Sequence, residues 1–292
     1  MANKRPRREP NIGGKPAESE ELLEVRQNKS LRLTGVPIIK TLAQASRFMQ
    51  NVGIALRYWP STGIPMASMY RACSGNNGEK EEGQRRAIEI TNQLLESFLV
   101  IEVNMIAARL CLVASSIVPP LFRLVTRERV YDQLPKLSPG ARQAYELLRI
   151  RGEITAGDLR KKMGIKSGLQ EDPAYIALGE LQQHFLVDRG PFKMREKGIP
   201  YLSKEGYPYH LFHEAHLELV TASQKLDIKQ AALTFLSAFL HGAVFCPVRK
   251  MQSMFQLFLS RDEIDEALQV LIDEGKIVLA DVGKGKVYAM FK

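Results

Sequence analysis

Apolar positions in this chain recur mainly at spacings of three and four residues, the signature of helices that bury one face. The clearest run lies between Leu137 and Arg195. Ala141, Ala144, Tyr145, Leu147 and Leu148 share a helical stripe that starts at Pro139, and Gly152 supplies the residue with which helices commonly end. Thr155 followed by Asp158 reads as a capping box opening a second helix, which stops at Gly164. Asp172 and Pro173 open a third, because the aspartate accepts from an orphan amide and a proline at the first position has no amide to leave unpaired. Leu178, Leu181 and Phe185 fall on its inward face, Leu186 and Val187 leave as a strand, and the basic, aromatic loop beyond Gly190 is placed as a wing. Together these elements predict one winged helix-turn-helix unit.

The same pattern returns at the C-terminal end. Helices are predicted from Asp227 to Leu240 and from Val248 to Leu259, and a third opens on the capping box of Ser260 with Glu263 and ends at Gly275. Lys276 to Ala280 and Lys286 to Met290 read as paired strands. AlaLeuGlyGluLeuGlnGlnHisPheLeuValAsp from Ala177 resembles AlaLeuGlnValLeuIleAspGluGlyLysIleVal from Ala267, an internal structural repeat.

The N-terminal part is less regular. Leu42, Ala45, Phe48, Met49, Val52 and Ala55 predict a helix over 42–56, broken by TyrTrpProSerThrGlyIlePro, and Ala87, Ile90, Leu94 and Leu95 predict another over 84–98. Phe98 to Val118 is the most apolar stretch, but Glu102, Asn104 and Arg109 keep it short of the roughly 18 uninterrupted apolar residues of a membrane span, so it is read as a buried helix. The expected organisation is a disordered basic tail over 1–30, a helical, winged-helix-like domain over 31–134, a central winged helix over 135–222 and a C-terminal one over 223–292. The fold class is mainly α with small β-hairpins, in tandem winged helix-turn-helix units.

Charge then narrows the partners. A net charge of +9 favours polyanions through counterion release without fixing any sequence preference. Lys4, Arg5, Arg7, Arg8 and Lys15 make the tail either an electrostatic arm or a solubilising terminus. Cys73, Cys111 and Cys246 have no metal-type spacing and read as reduced thiols, no cofactor is implied, and neither a signal peptide nor a membrane partner is expected. The expected location is the cytoplasm, at the nucleoid if DNA is bound.

A helix-turn-helix that reads bases presents Arg, Lys, Asn or Gln from its third helix. The central third helix offers Gln182 and Gln183 but no cation, and the C-terminal one carries Asp262, Glu263, Asp265, Glu266, Asp273 and Glu274 against Arg261. Phosphate contact is therefore assigned to Lys161, Lys162 and Lys166 around the turn and to Lys193, Arg195, Lys197 and Tyr201 in the wing, with Gln182 as the base-facing candidate. The expected partner is double-stranded DNA, with a protein partner for the acidic C-terminal unit. Trp59 is either a stacking residue or an aromatic lid on the first core. Arg123, Arg127 and Arg129 are either a solvated face or phosphate contacts. His210, His213 and His216 spread too far around a helix to converge on one metal ion, although His213 and Glu214 have the chemistry of an acid–base pair.

ArgPheMetGlnAsnValGlyIleAlaLeu, the stretch LSPGARQAYELLRIRGEITAGDLRKKMGI, AYIALGELQQHFLVDRG and EALQVLIDEGKI together resemble the AlkZ/YcaQ family of tandem winged-helix DNA glycosylases, over residues 40–292. The resemblance implies three winged-helix units forming a concave, basic DNA-binding surface, with excision of alkylated or crosslinked bases as the family chemistry. The family's Gln-x-Gln catalytic motif is absent: Gln182 and Gln183 are adjacent, and Gln252 and Gln256 are too widely spaced. No catalytic residue is carried over. Three readings follow: a DNA-binding protein related to these glycosylases, a lesion-specific glycosylase with a replaced motif, and a winged-helix interaction scaffold.

Overall fold

The computed structural model describes residues 20–33, 35–61, 63–75, 81–129, 134–165, 172–191, 206–281 and 286–290. Lys166, Lys193, Arg195, Lys197 and Tyr201 lie outside them, as do residues 1–19.

After α1 (Glu20–Ser30) the first unit comprises α2 (Leu42–Val52), β1 (Ile54–Leu56), β2 (Ala67–Ser68), α3 (Met69–Ser74), α4 (Glu81–Glu96), β3 (Val100–Ile106) and β4 (Arg109–Ala114). Linker helix α5 (Val118–Val125) leads to the central unit: α6 (Pro139–Arg151), β5 (Glu153–Thr155), α7 (Ala156–Met163), α8 (Pro173–Gln183), β6 (Val187–Arg189) and β7 (Pro208–Leu211). Short helices α9 (Phe212–Ala215) and α10 (Leu217–Gln224) connect to α11 (Ile228–Ala243), β8 (Phe245–Pro247), α12 (Val248–Phe255), α13 (Arg261–Asp273), β9 (Ile277–Asp281) and β10 (Lys286–Met290). The second and third units run helix, strand, helix, helix, strand, strand, with the last strand between the other two, β5-β7-β6 and β8-β10-β9; the first unit repeats the order β1-β4-β3 and adds β2, paired parallel to β1 at the sheet edge. The fold is three winged helices in tandem.

Helix ends follow local chemistry. Ser138, Thr155, Asp172, Asp227 and Ser260 each accept from a backbone amide of the helix they open, and Ser260 with Glu263 completes a reciprocal capping box. Thr155 forms half of one, since Asp158 returns only to the threonine hydroxyl, at 3.0 Å.

Two expectations are corrected. Within Phe98 to Val118, read as a buried helix, Val100 to Ala114 is an antiparallel hairpin, because Val100, Ile101, Val103, Ile106 and Val113 are β-branched, and Ala107 and Ala108 turn at φ 53° and 51°, the backbone of a tight two-residue hairpin loop. Residues 20–30, assigned to a disordered tail, are helix α1. Leu23 is buried against Val244, Gln27 Nε2 donates to the carbonyls of Ala243 (2.8 Å) and Phe245 (2.9 Å), and Ser30 Oγ donates to Gly242 O (2.6 Å), which ties α1 to the last unit.

The first and third units share a core. Ile101, Val103 and Met105 of β3 join α5, α11, α12 and α13 in one apolar cluster, while Val100 packs into the first unit's own core beneath α2, α3 and α4. Glu102 and Asn104, on the alternate positions of β3, face the central unit. Phe185 leaves the central unit's core to pack between Phe122 (5.3 Å) and Phe212 (4.9 Å). Among the described residues no helix is long and apolar enough to cross a membrane.

Candidate nucleic-acid interface

The central unit docks on the first through its third helix. Gln182 Nε2 donates to Glu102 O at 3.1 Å, and Asn104 Nδ2 donates to Gly179 O at 3.1 Å. Gln182 is therefore not a base-reading residue: it is buried and its amide is used to dock α8 on β3. Docking thus occupies α8 around Gly179 and Gln182, while Tyr175 and Ile176 nearer its beginning stay exposed.

Behind that contact lies a closed charge cluster. Arg57, just beyond β1, and Arg189, at the end of β6, both bind the carboxylate of Glu102 on β3, with all three side chains buried. Burial pushes the Glu102 carboxyl up, but the two guanidinium groups outweigh it and hold it below its ordinary value. Asp188, which precedes Arg189, sits on the other face of β6 and pairs at 2.7 Å with buried His216. The trio thus keeps one positive charge in excess.

Tyrosines cover it. The Tyr207 ring centroid lies 4.0 Å from the Arg189 guanidinium carbon and 4.9 Å from that of Arg57, and Tyr58 lies 5.7 Å from the latter. The Tyr58 and Tyr207 hydroxyls meet at 3.4 Å on the exposed side. Tyr58 is fixed because the strand is clamped on both sides of it: Arg57 N donates to Leu110 O, Tyr70 N donates to Arg57 O, and Ser68 Oγ donates to Tyr58 O. Burial raises the Tyr58 phenol, but Arg57 and Arg189 together bring it below its usual value.

Exposed aromatic and basic groups continue from this point in two directions. Trp59 is 43% exposed, tilted on Tyr70 at 5.0 Å, so it both caps the first core and offers surface. Pro60 follows it into a groove of about 480 Å³ whose lining includes Phe245, Pro247 and Lys250 of the third unit and Gln27 of α1. On the other side, Gly206 precedes Tyr207, and a Cβ there would lie 2.9 Å from the Tyr175 hydroxyl; its φ of +78° also requires glycine. Tyr175 in turn lies under Arg160 at 5.1 Å, and Arg160 pairs with Asp172 at 2.5 Å. Lys161 and Lys162 follow on α7, both exposed, with Lys161 Nζ 3.8 Å from Asp158. The strip thus draws on all three units.

The other sequence candidates do not join it. Arg123 Nε donates to Leu226 O at 2.9 Å, Arg127 pairs with Glu263, and Arg129 donates to His184 O, so these half-buried arginines join linker to units. The histidines turn to separate partners: His210 to Glu153 at 3.6 Å, His213 to Glu214 at 3.8 Å and His216 to Asp188. The α13 face exposes Asp262, Asp265, Glu266, Asp273 and Glu274, which phosphate avoids. Sequence reasoning missed Arg57, Glu102 and Arg189, because a buried ion cluster assembled from two units leaves no local spacing to find.

The architecture matches a solved structure, the DNA glycosylase AlkZ of Streptomyces sahachiroi, with a TM-score of 0.56 and 12% identity over 94% of this chain and 70% of that one. The chain has the fold of AlkZ. No protein-family model matches the sequence, and no curated protein matches it.

Proposed function

We propose that this protein binds duplex DNA along the aromatic and basic strip from Lys161 and Lys162 through Tyr175, Tyr207, Tyr58 and Trp59 to Lys250. The observation that carries the reading is the exposure of Tyr58 and Trp59 beside a buried cluster with an excess positive charge. Aromatic faces stack on bases and cations hold phosphate, a pairing of properties suited to nucleic acid. The fold shared with a DNA glycosylase and the net charge of +9 support it. Lys166, Lys193, Arg195, Lys197 and Tyr201 are proposed to extend the surface, since the segment that carries the last four joins Arg189 to Tyr207, both members of the cluster.

The test is duplex binding by fluorescence anisotropy across a salt series. Trp59→Ala is expected to weaken binding by about 1–3 kcal/mol per stacked base. Reversing Lys161, Lys162 and Lys250 to glutamate is expected to lower affinity and flatten the salt slope. Unchanged affinity in both variants overturns the reading.

The likeness to AlkZ also favours a second reading, excision of a damaged base extruded toward Tyr58 and Trp59. It requires free base to be released from alkylated duplex, and none across a lesion panel ends it.

A further inference from the structure

We propose that the Tyr58 and Tyr207 hydroxyls form an oxyanion site that takes a phosphate oxygen, held over the excess charge of Arg57 and Arg189. The two phenols come from different units, yet their oxygens lie 3.4 Å apart on the exposed side. One oxygen of a phosphate fits between two hydroxyl donors at that spacing, replacing the hydrogen bond they make to each other. Beneath them two guanidinium groups share a single carboxylate, so an arriving anion completes the charge balance that Glu102 alone leaves open. Both rings lie over guanidinium, and the two cations bring the Tyr58 phenol below its ordinary value, whereas burial holds that of Tyr207 above it. Arg57 and Arg189 are positioning residues here: they are buried and act on the anion through the tyrosines. The Trp59 ring next along the chain gives a base attached to that phosphate a surface to meet. Free phosphate and the backbone of DNA present the same oxygen. As a statement about DNA the proposal rests on the binding reading above; as a statement about phosphate it does not.

The experiment uses the full chain, with Tyr58→Phe, Tyr207→Phe and the double variant, which keep the rings over the arginines and remove only the hydroxyls. Thermal unfolding monitors the fold, and rescue by restoring either tyrosine separates a missing donor from a disrupted structure. In one arm inorganic phosphate is titrated and followed by phosphorus NMR; in the other, duplex affinity is measured against salt. The double variant is expected to bind phosphate at least about tenfold more weakly, and the slope of log affinity against log salt to fall by about one for a single phosphate released from the site. Loss in the phosphate arm with no DNA binding by the wild type upholds the site and removes the DNA reading. A reduced slope with no binding of free phosphate upholds the site with DNA as its source. Wild-type behaviour of the double variant in both arms overturns the site, and leaves the DNA reading intact if the wild type binds duplex.

Discussion

Glu102 and Arg189 occupy the same position in two copies of one pattern, and they pair with each other. SerPheLeuValIleGlu over 97–102 and HisPheLeuValAspArg over 184–189 both leave a third helix, with Phe98 and Phe185 in left-handed backbone at φ 51° and 50°. The next amides match as well: Leu99 N donates to Leu94 O and Leu186 N to Leu181 O. In the third unit Gly275 takes the left-handed position, and Lys276 N donates to Leu271 O. Equivalent strands β3 and β6 thus meet through residues of opposite charge, and Arg57 provides a second cation.

Glu102→Gln leaves two buried guanidinium groups without their carboxylate, and it is expected to lower stability by about 3–5 kcal/mol. The folded Glu102 carboxyl titrates below its unfolded value, so its contribution is present above that value and is lost as pH falls through the carboxylate range. Chemical denaturation of both proteins from neutral to acid pH is expected to show the difference between them shrinking toward acid. A difference that is constant with pH contradicts the assignment.

Phe98 and Phe185 share a backbone conformation that favours glycine, yet they differ in burial: Phe98 is 59% exposed and Phe185 3%. Phe98→Gly is expected to change stability by less than about 1 kcal/mol, since relief of the left-handed backbone offsets removal of the edge-on packing against His216. Phe185→Gly empties the space between Phe122 and Phe212 and is expected to cost about 3–5 kcal/mol. Urea midpoints compare the two directly.

Gln182→Leu removes the donor to Glu102 O while keeping similar bulk, and it is expected to destabilise by about 1–3 kcal/mol by leaving a buried carbonyl unpaired. DNA affinity of the folded variant is expected to match the wild type. A tenfold loss of affinity without loss of stability would return Gln182 to the nucleic-acid surface.

Gly242 lets α11 cross the end of α2: a Cβ there would lie 2.3 Å from Val52 O. Gly242→Ala is expected to lower stability by about 1–3 kcal/mol by forcing the helices apart. Gly140→Ala is the control, because its Cβ would meet only Met163 Cε at 3.6 Å and Ala177 Cβ at 3.8 Å, and a change within about 1 kcal/mol is expected.

Features set by neighbours along the chain were legible from the residues alone. Periodicity and caps placed the helices from Pro139 to Gln183 and from Ile228 to Asp273, since a cap and a stripe are set by residues a turn apart. The repeat between the second and third units was legible for the same reason. The first unit's copy was hidden: Ile90 to Ile101 is in register with the stretch from Ala177, but its strand is buried on both faces and loses the alternation that marks a strand. It took the packing of the three units to establish that Gln182 docks α8 on β3, that Arg123, Arg127 and Arg129 join elements, and that Arg57, Glu102 and Arg189 meet. Those contacts join residues tens of positions apart, whose pairing energy appears only when the units exclude water from between them.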